Sequence, residues 1–315
     1  MDESTMNAFY LRSPSGDPFY NLAVEEYILD HFPENKPVLL LWQSDNAVVI
    51  GRHQNPWKET DGGFIMRKRI ALARRISGGG AVYHDRGNLN FSFIADRRFF
   101  DPDRQIRAVR EILVPHGIRA TIGKRRDLYV AGKKFSGSAY AFRRDRALHH
   151  GTLLVNADLS MMRALEGKMR ITNQQGTLSE HSAVINLKSV NPDISIEGVA
   201  RSLRIMAEKI TGCRFLSAEI SDLCDSAVLS ALHDKQRSWD WRYGNTPAFD
   251  AELGAAGGRI SVHVDRGRVG AVRSLPDGKM VLDAGRAVRF HRDDIPDALA
   301  DAGDPRGSLI RDHLF

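Results

Sequence analysis

Three consecutive glycines, Gly78 to Gly80, follow a pair of arginines in the first third of the chain. Glycine has no Cβ atom, so this backbone can take positive φ angles and approach a ligand closely. Successive N–H groups in such a turn can form a concave site for an anion. Arg75 adds a permanent charge whose fork of donors suits phosphate or carboxylate. The segment predicts an anion-binding loop, although a glycine run alone is most often a flexible turn.

Two further places in the chain carry polar residues that could act with this loop. Lys134 and Asp127 belong to a strand–turn–strand pattern, and by residue type alone they are a solvated strand lysine and a turn residue. His149 and His150 are adjacent on another predicted strand, so their side chains point to opposite faces. A metal shared by the two histidines is therefore disfavoured. One of them is expected to pack or hydrogen-bond beside the site.

The elements around the glycine loop are predicted to hold it rigidly. Val82, Phe91 and Phe93 lie among polar residues as in two half-buried strands. The turn residues Asp85-Arg86-Gly87 would join these strands into a hairpin. No helical pattern follows the glycines, which separates this loop from the two common phosphate-binding fingerprints.

Helices and strands are predicted on both sides of this hairpin. Asp17 and Pro18 predict a helix start, because aspartate caps free N–H groups and proline suits the first helical position. Apolar runs at Pro37–Trp42 and Ala47–Ile50 predict a strand–turn–strand unit. The polar, aperiodic segment from Gly167 to Ser182 is typical of a mobile lid. Later patterns predict helices over 195–211 and 294–301 and strands over 260–264 and 269–272.

Length, composition and charge narrow the class of protein. The chain has 315 residues and a net charge of +6, and this positive charge favours anionic partners. Its two cysteines give neither a disulfide framework nor a metal-ligand spacing. No recognition motif for nucleic acid is present, and no apolar run approaches the ~20 residues that span a bilayer. The acidic, polar start differs from secretory and mitochondrial leaders. The expected location is a reducing cytoplasm.

Six segments of the chain occur in the order and register of one known family: Asn21–Glu26, Gly51–Trp57, Arg74–Asp85, Lys134–Ala139, His149–Leu154 and Trp239–Phe249. Together they resemble the lipoate–protein ligase A family. The resemblance covers nearly the whole chain and is weakest after about residue 250. It implies an α/β (α+β) fold: a biotin/lipoate ligase-like catalytic domain with a mixed, largely antiparallel sheet over residues 1–245, and a small α+β accessory domain over 246–315.

The resemblance also implies a two-step reaction. Lipoate and Mg-ATP form lipoyl-adenylate and release pyrophosphate, and a lysine of an acceptor domain then attacks to give an amide. The implied acceptors are the E2 subunits of 2-oxo acid dehydrogenases and the H protein of glycine cleavage. The enzyme is expected to be a monomer that binds neither nucleic acid nor membrane.

Site residues follow from the resemblance position by position. Lys134 is the implied catalytic residue and would bond both the acyl carbonyl and the phosphate oxygens. Asp127 would meet Mg²⁺ through ATP. The implied ATP and adenylate contacts are Arg75, Gly80, Ala81, Val82, Tyr83, Lys134 and Asp127. The implied lipoate contacts are Lys134, Arg75, Ser77, His84, Trp42 and His150, of which Trp42 either walls the lipoyl tail or packs in the core.

Two departures from the family pattern leave a second reaction open. The family often has Asn-Asp-Leu where this chain has Arg126-Asp127-Leu128, and it often has arginines before the block that is His181 to Leu187 here. At both places the sequence of this chain is similar to the eukaryotic lipoyltransferase branch. The alternative is a lipoyltransferase that uses preformed lipoyl-adenylate or another lipoyl donor.

Two other classes are also consistent with parts of the sequence. A thioester-forming octanoyl or lipoyl transferase needs a cysteine near the lid, whereas Cys213 and Cys224 come later and the segment from Gly167 to Leu187 has none. A non-catalytic binding protein or a nucleic-acid binder would not need both Arg75 and Lys134.

Overall fold

The computed structural model describes residues 7–33, 36–255, 258–304 and 306. Its strands are β1 (Asn7–Arg12), β2 (Val38–Trp42), β3 (Ala47–Ile50), β4 (Ala71–Arg74), β5 (Val82–His84), β6 (Asn88–Asp96), β7 (Thr121–Ile122), β8 (Leu128–Val130), β9 (Lys133–Ser136), β10 (Ser138–Arg143), β11 (Arg146–Leu154), β12 (Arg170–Thr172), β13 (Arg214–Ser217), β14 (Phe249–Ala255), β15 (Gly258–Asp265), β16 (Arg268–Leu275) and β17 (Met280–Asp283). Its helices are α1 (Pro18–Asp30), α2 (Pro56–Glu59), α3 (Gly62–Arg67), α4 (Pro102–Glu111), α5 (Ile196–Thr211), α6 (Ile220–Leu223), α7 (Ser226–Arg237) and α8 (Asp294–Asp301).

A six-stranded sheet in the order β10-β11-β6-β2-β1-β13 forms the centre of the catalytic part. β1 runs parallel to β2 and β13, and the other three pairs are antiparallel. Small sheets β4-β3-β5 and β7-β8-β9 lie beside it. The prediction of a mixed, largely antiparallel sheet is confirmed.

The predicted hairpin is wrong in its pairing. β5 pairs antiparallel with β3, while β6 lies in the central sheet between β2 and β11. All nine residues of β6 are buried, so this strand needs neighbours on both edges, and the turn after His84 carries the chain from one sheet to the other. The predicted strand–turn–strand unit before the glycine loop divides in the same way, because β2 and β3 belong to different sheets.

The predicted helix starts are confirmed by their capping contacts. The Asp17 side chain accepts a hydrogen bond from Phe19 N, and Pro18 is the first residue of α1. The Ser195 side chain caps α5, which ends at Gly212 in the left-handed conformation with φ 69°. Helix α1 is almost wholly buried between the central sheet and α7, which fixes its side chains beside the glycine loop.

The C-terminal part is built on the five-stranded sheet β12-β14-β15-β16-β17 and helix α8. The strands predicted over 260–264 and 269–272 lie in β15 and β16, and the helix predicted over 294–301 is α8. One strand of the five-stranded sheet, β12, comes from the segment predicted to be an irregular lid, and it pairs with β14. Trp57 of the catalytic part packs against Phe249 and Phe290, so the two parts share an apolar core. The division into two domains at residue 245 stays a prediction. Residues 1–6 and 307–315, at the outer ends of the two predicted domains, lie outside the described residues.

None of the described helices combines the length and apolar character that crossing a membrane requires.

Candidate active site

The glycine loop is held from behind by Arg75, which is 6% exposed. Its Nη2 donates to the Gly78 and Gly80 carbonyls at 2.6 and 2.8 Å, and its Nη1 donates to the Val49 carbonyl at 3.1 Å. Burial lowers the pKa of Arg75 to about 10, against the opposing effect of the Glu25 charge. Because the loop carbonyls accept hydrogen bonds from this guanidinium, the conformation of the glycine loop is fixed.

A second support for the loop comes from the segment after β3. A Cβ atom on Gly51 would lie 2.2 Å from the Gly79 carbonyl oxygen, so only glycine fits there. Gly51 N donates to Gln54 Oε1 at 2.9 Å, and Gln54 is fully buried. The polar segment from Gly51 to Trp57, whose simplest interpretation in isolation is a surface loop, is therefore part of the wall behind the glycines.

Lys134 lies on β9 opposite the loop, and its Nζ is 3.0 Å from Asp127 Oδ1. The β8–β9 turn that brings them together uses positive φ at Ala131 and Gly132, 49° and 72°. A Cβ atom on Gly137 would lie 3.3 Å from both Cε and Nζ of Lys134. The missing side chain at residue 137 therefore leaves room for the lysine amine.

Two cavities meet at Lys134. The first, of about 160 Å³, has Trp42, His84, His150, Arg75 and Asp127 among its lining residues. The second, of about 430 Å³, is bounded by Tyr83, by Leu159 to Glu166 and by the lid. Seven residues line both: Ala81, Val82, Lys134, Gly137, Thr152, Ser179 and Glu180. Gly79, Gly80 and Lys134 thus line the same cavity, and Lys134 lies where this cavity meets the second one.

One part of the wall of the first cavity is formed by Trp42 and a neutral histidine, His84. His84 packs edge-on against Trp42 with centroids 5.6 Å apart. Burial, followed by the charges of Arg75 and His150, lowers the pKa of His84 to about 3. Among the described residues neither of its ring nitrogens has a hydrogen-bond partner. Such a wall suits an apolar chain that ends in a polar group.

The two adjacent histidines point to opposite sides of β11, as predicted. His149 bonds Gln105 at 3.0 Å and Ser138 at 3.1 Å, and burial lowers its pKa to about 3. His150 faces the first cavity and its Nε2 lies 2.7 Å from Ser77 Oγ. Ser77 itself is behind the cavity wall rather than on it.

Tyr83 lines the second cavity and its hydroxyl donates to Asn46 Oδ1 at 3.0 Å. Burial raises the pKa of this phenol further above its usual range, so it serves as a neutral wall.

The lid closes over the junction. Ser179 Oγ accepts hydrogen bonds from Ala81 N at 2.8 Å and from Gln54 Nε2 at 3.0 Å. Glu180 forms an ion pair with Arg125, and both line the first cavity. The Ser179 hydroxyl oxygen therefore accepts a hydrogen bond from Ala81 N, and the resemblance implies that Ala81 contacts ATP or the adenylate.

Several of these residues were missed from the sequence. Glu25, Gln54, Gly137, Ser179 and Glu180 belong to no recognisable chemical pattern, and only their segments stood out. For Gly137 the available signal was its position between Ser136 and Ser138 in a strand pattern. A glycine inside a strand pattern often marks a place where a ligand or another part of the chain comes close to the backbone.

The cysteines lie away from both cavities. Cys213 and Cys224 are buried after α5 and α6, and burial raises the pKa of Cys224 to about 12. A buried thiol of this kind is a poor nucleophile.

Comparisons with known proteins point to one family. A family profile described as the lipoyl protein ligase A/B catalytic domain matches residues 17–205. Lipoate-protein ligase A of Blochmanniella floridana is 36% identical over 264 residues, which are 81% of this chain and 78% of the relative.

Two solved structures share the fold. A lipoate-protein ligase A bound with ATP is 26% identical, with a TM-score of 0.62 over 75% of this chain and 98% of its own. The bi-partite lipoate protein ligase of Thermoplasma acidophilum, described with its E2 lipoyl domain, is 26% identical, with a TM-score of 0.62 over 75% of this chain and 96% of its own. The chain therefore belongs to the lipoate–protein ligase A family.

Proposed function

We propose that this enzyme activates lipoate with Mg-ATP to lipoyl-adenylate and then transfers the lipoyl group to a lysine of an acceptor domain. The observation that carries this proposal is the junction at Lys134. One cavity is smaller and has Trp42, His84 and His150 in its lining, whereas the other is larger and has Tyr83 and Leu159 in its lining. Ala81, Val82 and Lys134 line both. An acyl-adenylate has the matching form, with an apolar chain on one side of a carbonyl–phosphate link and a nucleotide on the other.

In the first step a carboxylate oxygen of lipoate attacks the α-phosphorus of ATP, and the bond to pyrophosphate breaks. Both reactants are anions, so a cation is needed between them. Lys134 Nζ lies at the junction where carboxylate and phosphate would meet. Held by Asp127, it is a preorganised donor for the charge that develops in the transition state.

In the second step the acceptor amine attacks the acyl carbonyl, AMP leaves, and the nitrogen loses a proton. The nucleophile arrives on the partner protein, so the enzyme contributes mainly positioning. This fits a site whose described residues present donors and walls, while both cysteines are buried and line neither of the two cavities.

Asp127 is the carboxylate that would meet Mg²⁺ carried by ATP. Within the described ranges no group of three His, Cys, Asp or Glu side chains could hold a metal by itself. Magnesium bound through one carboxylate together with substrate phosphates and water is the usual arrangement for a nucleotide-borne ion. Asp127, 14% exposed and lining the first cavity, is consistent with it.

For the acceptor we propose the lipoyl domains of E2 subunits and the glycine cleavage H protein. The support is the family, the relative described with an E2 lipoyl domain, and the positive net charge of +6, which favours acidic partners.

The test is a mass-shift assay on a recombinant E2 lipoyl domain, run once with lipoate plus Mg-ATP and once with synthetic lipoyl-adenylate. Pyrophosphate is measured in parallel without acceptor. Modification in both arms, with pyrophosphate release that depends on lipoate, is the expected result. Modification only from synthetic adenylate would identify the lipoyltransferase alternative, and modification in neither arm would refute the proposal.

A further inference from the structure

A buried carboxylate behind the first cavity is unused by the reaction described above. Glu25 lies on α1 with no exposed surface. Its Oε1 accepts hydrogen bonds from Trp42 Nε1 at 3.3 Å and from the Ser92 hydroxyl. Both of its oxygens lie 3.0 Å from His150 Nδ1. Two of these three partners, Trp42 and His150, line the cavity.

The contacts continue from His150 to the glycine loop. His150 Nε2 lies 2.7 Å from Ser77 Oγ, and Ser77 Oγ accepts from Arg75 Nε at 3.0 Å. Arg75 in turn donates to the carbonyls of Gly78 and Gly80. A single line of hydrogen bonds therefore joins α1 to the anion-binding loop.

The two ends of this line fix its direction. Arginine can only donate and a carboxylate can only accept. Arg75 therefore donates to Ser77, and His150 Nδ1–H donates to Glu25. In a ring with one proton, His150 Nε2 then accepts from the Ser77 hydroxyl. This order assigns the proton of the His150 ring to Nδ1.

We propose that Glu25 is a positioning residue for lipoate binding. It holds the Trp42 indole and one tautomer of His150 against the acyl cavity and, through Ser77, orients Arg75 behind the glycine loop. This inference deepens the proposed function and rests on it for the identity of the ligand. Glu25 lines neither cavity, so its effect on binding passes through Trp42, His150 and Arg75.

A carboxylate is required because all the groups around Glu25 are donors. Glutamine at residue 25 would offer one acceptor and one NH₂ group, and the NH₂ would face a donor from Trp42, Ser92 or His150. The clash is relieved if His150 moves its proton to Nε2. Ser77 would then receive donors from both His150 and Arg75, and its own hydroxyl proton would lose its acceptor. A buried polar group without a partner destabilises its conformation.

The neighbouring residue supplies a matched control. Glu26 is also buried, at 4% exposure, but it faces α7, where Lys235 and Gln236 donate to it. Glu25→Gln and Glu26→Gln therefore remove the same charge from the same helix at the same depth. Only the first change breaks the line to the cavity.

The experiment measures pyrophosphate release by the full chain with lipoate and ATP varied in turn. Glu25→Gln is expected to raise KM for lipoate ~10-fold and KM for ATP less than ~3-fold, the size of one disturbed buried hydrogen bond. Glu26→Gln is expected to leave both constants within ~3-fold. Glu25→Asp keeps an all-acceptor group and should recover part of the loss. A folded Glu25→Gln enzyme with unchanged KM for lipoate, or an equal rise in Glu26→Gln, overturns the proposal.

Two further measurements keep the proposal testable in every case. If Glu25→Gln does not fold, Ser77→Ala breaks the same line one bond nearer Arg75 and should also raise KM for lipoate; a folded variant with unchanged KM overturns the proposal. Nitrogen NMR of the His150 ring, with its signals assigned by comparison with His150→Gln, does not depend on enzymatic activity. It should show the Nδ1–H tautomer in the native protein and in Glu26→Gln, and a different state in Glu25→Gln. An Nε2–H ring in the native protein refutes the assignment even if the proposed function fails.

Discussion

Replacement of Lys134 by methionine separates a catalytic lysine from a structural one. The Lys134–Asp127 pair is 25% and 14% exposed at a cavity mouth, and partly exposed pairs of this kind stabilise a fold by only ~0–1 kcal/mol. Removing one preorganised donor to a developing charge costs ~3–4 kcal/mol at the barrier. Activity should therefore fall ~10²–10³-fold while the melting temperature changes little.

The adjacent Lys133 provides the control. It lies on the same strand, is exposed, and has its side chain on the opposite face of β9. Lys133→Met and Lys134→Met thus make the same chemical change one residue apart. The assay is pyrophosphate release with lipoate and ATP, followed by transfer from synthetic lipoyl-adenylate to an E2 lipoyl domain, with thermal unfolding recorded for both variants.

Three outcomes would refute the reasoning. Lys134→Met could retain most of its activity, both variants could lose activity equally, or Lys134→Met could lose activity only as far as it loses folded protein. The first would remove Lys134 from the chemistry, the second would indicate a general effect of charge, and the third would reduce the lysine to a structural role.

The other predictions concern the residues around this junction. Gly137→Ala should lower kcat ~10-fold or more with little loss of stability, because its Cβ would lie 3.3 Å from the Lys134 amine; steady-state kinetics and a melting curve check this, and unchanged kcat contradicts it. Ser179→Ala should lower KM for ATP ~2–5-fold, because it frees Ala81 N from a competing hydroxyl; a raised KM would show that the hydroxyl helps to bind the nucleotide. Cys213→Ala with Cys224→Ala should leave lipoyl transfer to the acceptor within ~2-fold of native, because both thiols are buried away from the cavities; abolished transfer would instead support a thioester mechanism.

Features that depend on local contacts could be predicted from the sequence alone. The Asp17 cap is decided by contacts within a few residues, so the start of α1 follows from the pattern, and helical spacing predicts the extent of α5. Alternation placed His149 and His150 on opposite faces of one strand, because side chains in any strand alternate. The glycines before Ala81 and the resemblance of six segments were enough to indicate the family and to single out Ala81, Val82 and Lys134 at the junction.

Strand pairing and the supports behind the cavity depended on the tertiary structure. Whether β5 pairs with β6 or with β3 is decided by which strand edges remain free once the sheets pack, and no local pattern contains that information. Glu25 has the composition of any helical glutamate, and only the burial of α1 against β2 and β11 turns it into an acceptor for Trp42 and His150. The sequence determined which groups are present, and long-range packing decided which donor meets which acceptor, because a hydrogen bond depends on distance in space rather than on separation along the chain.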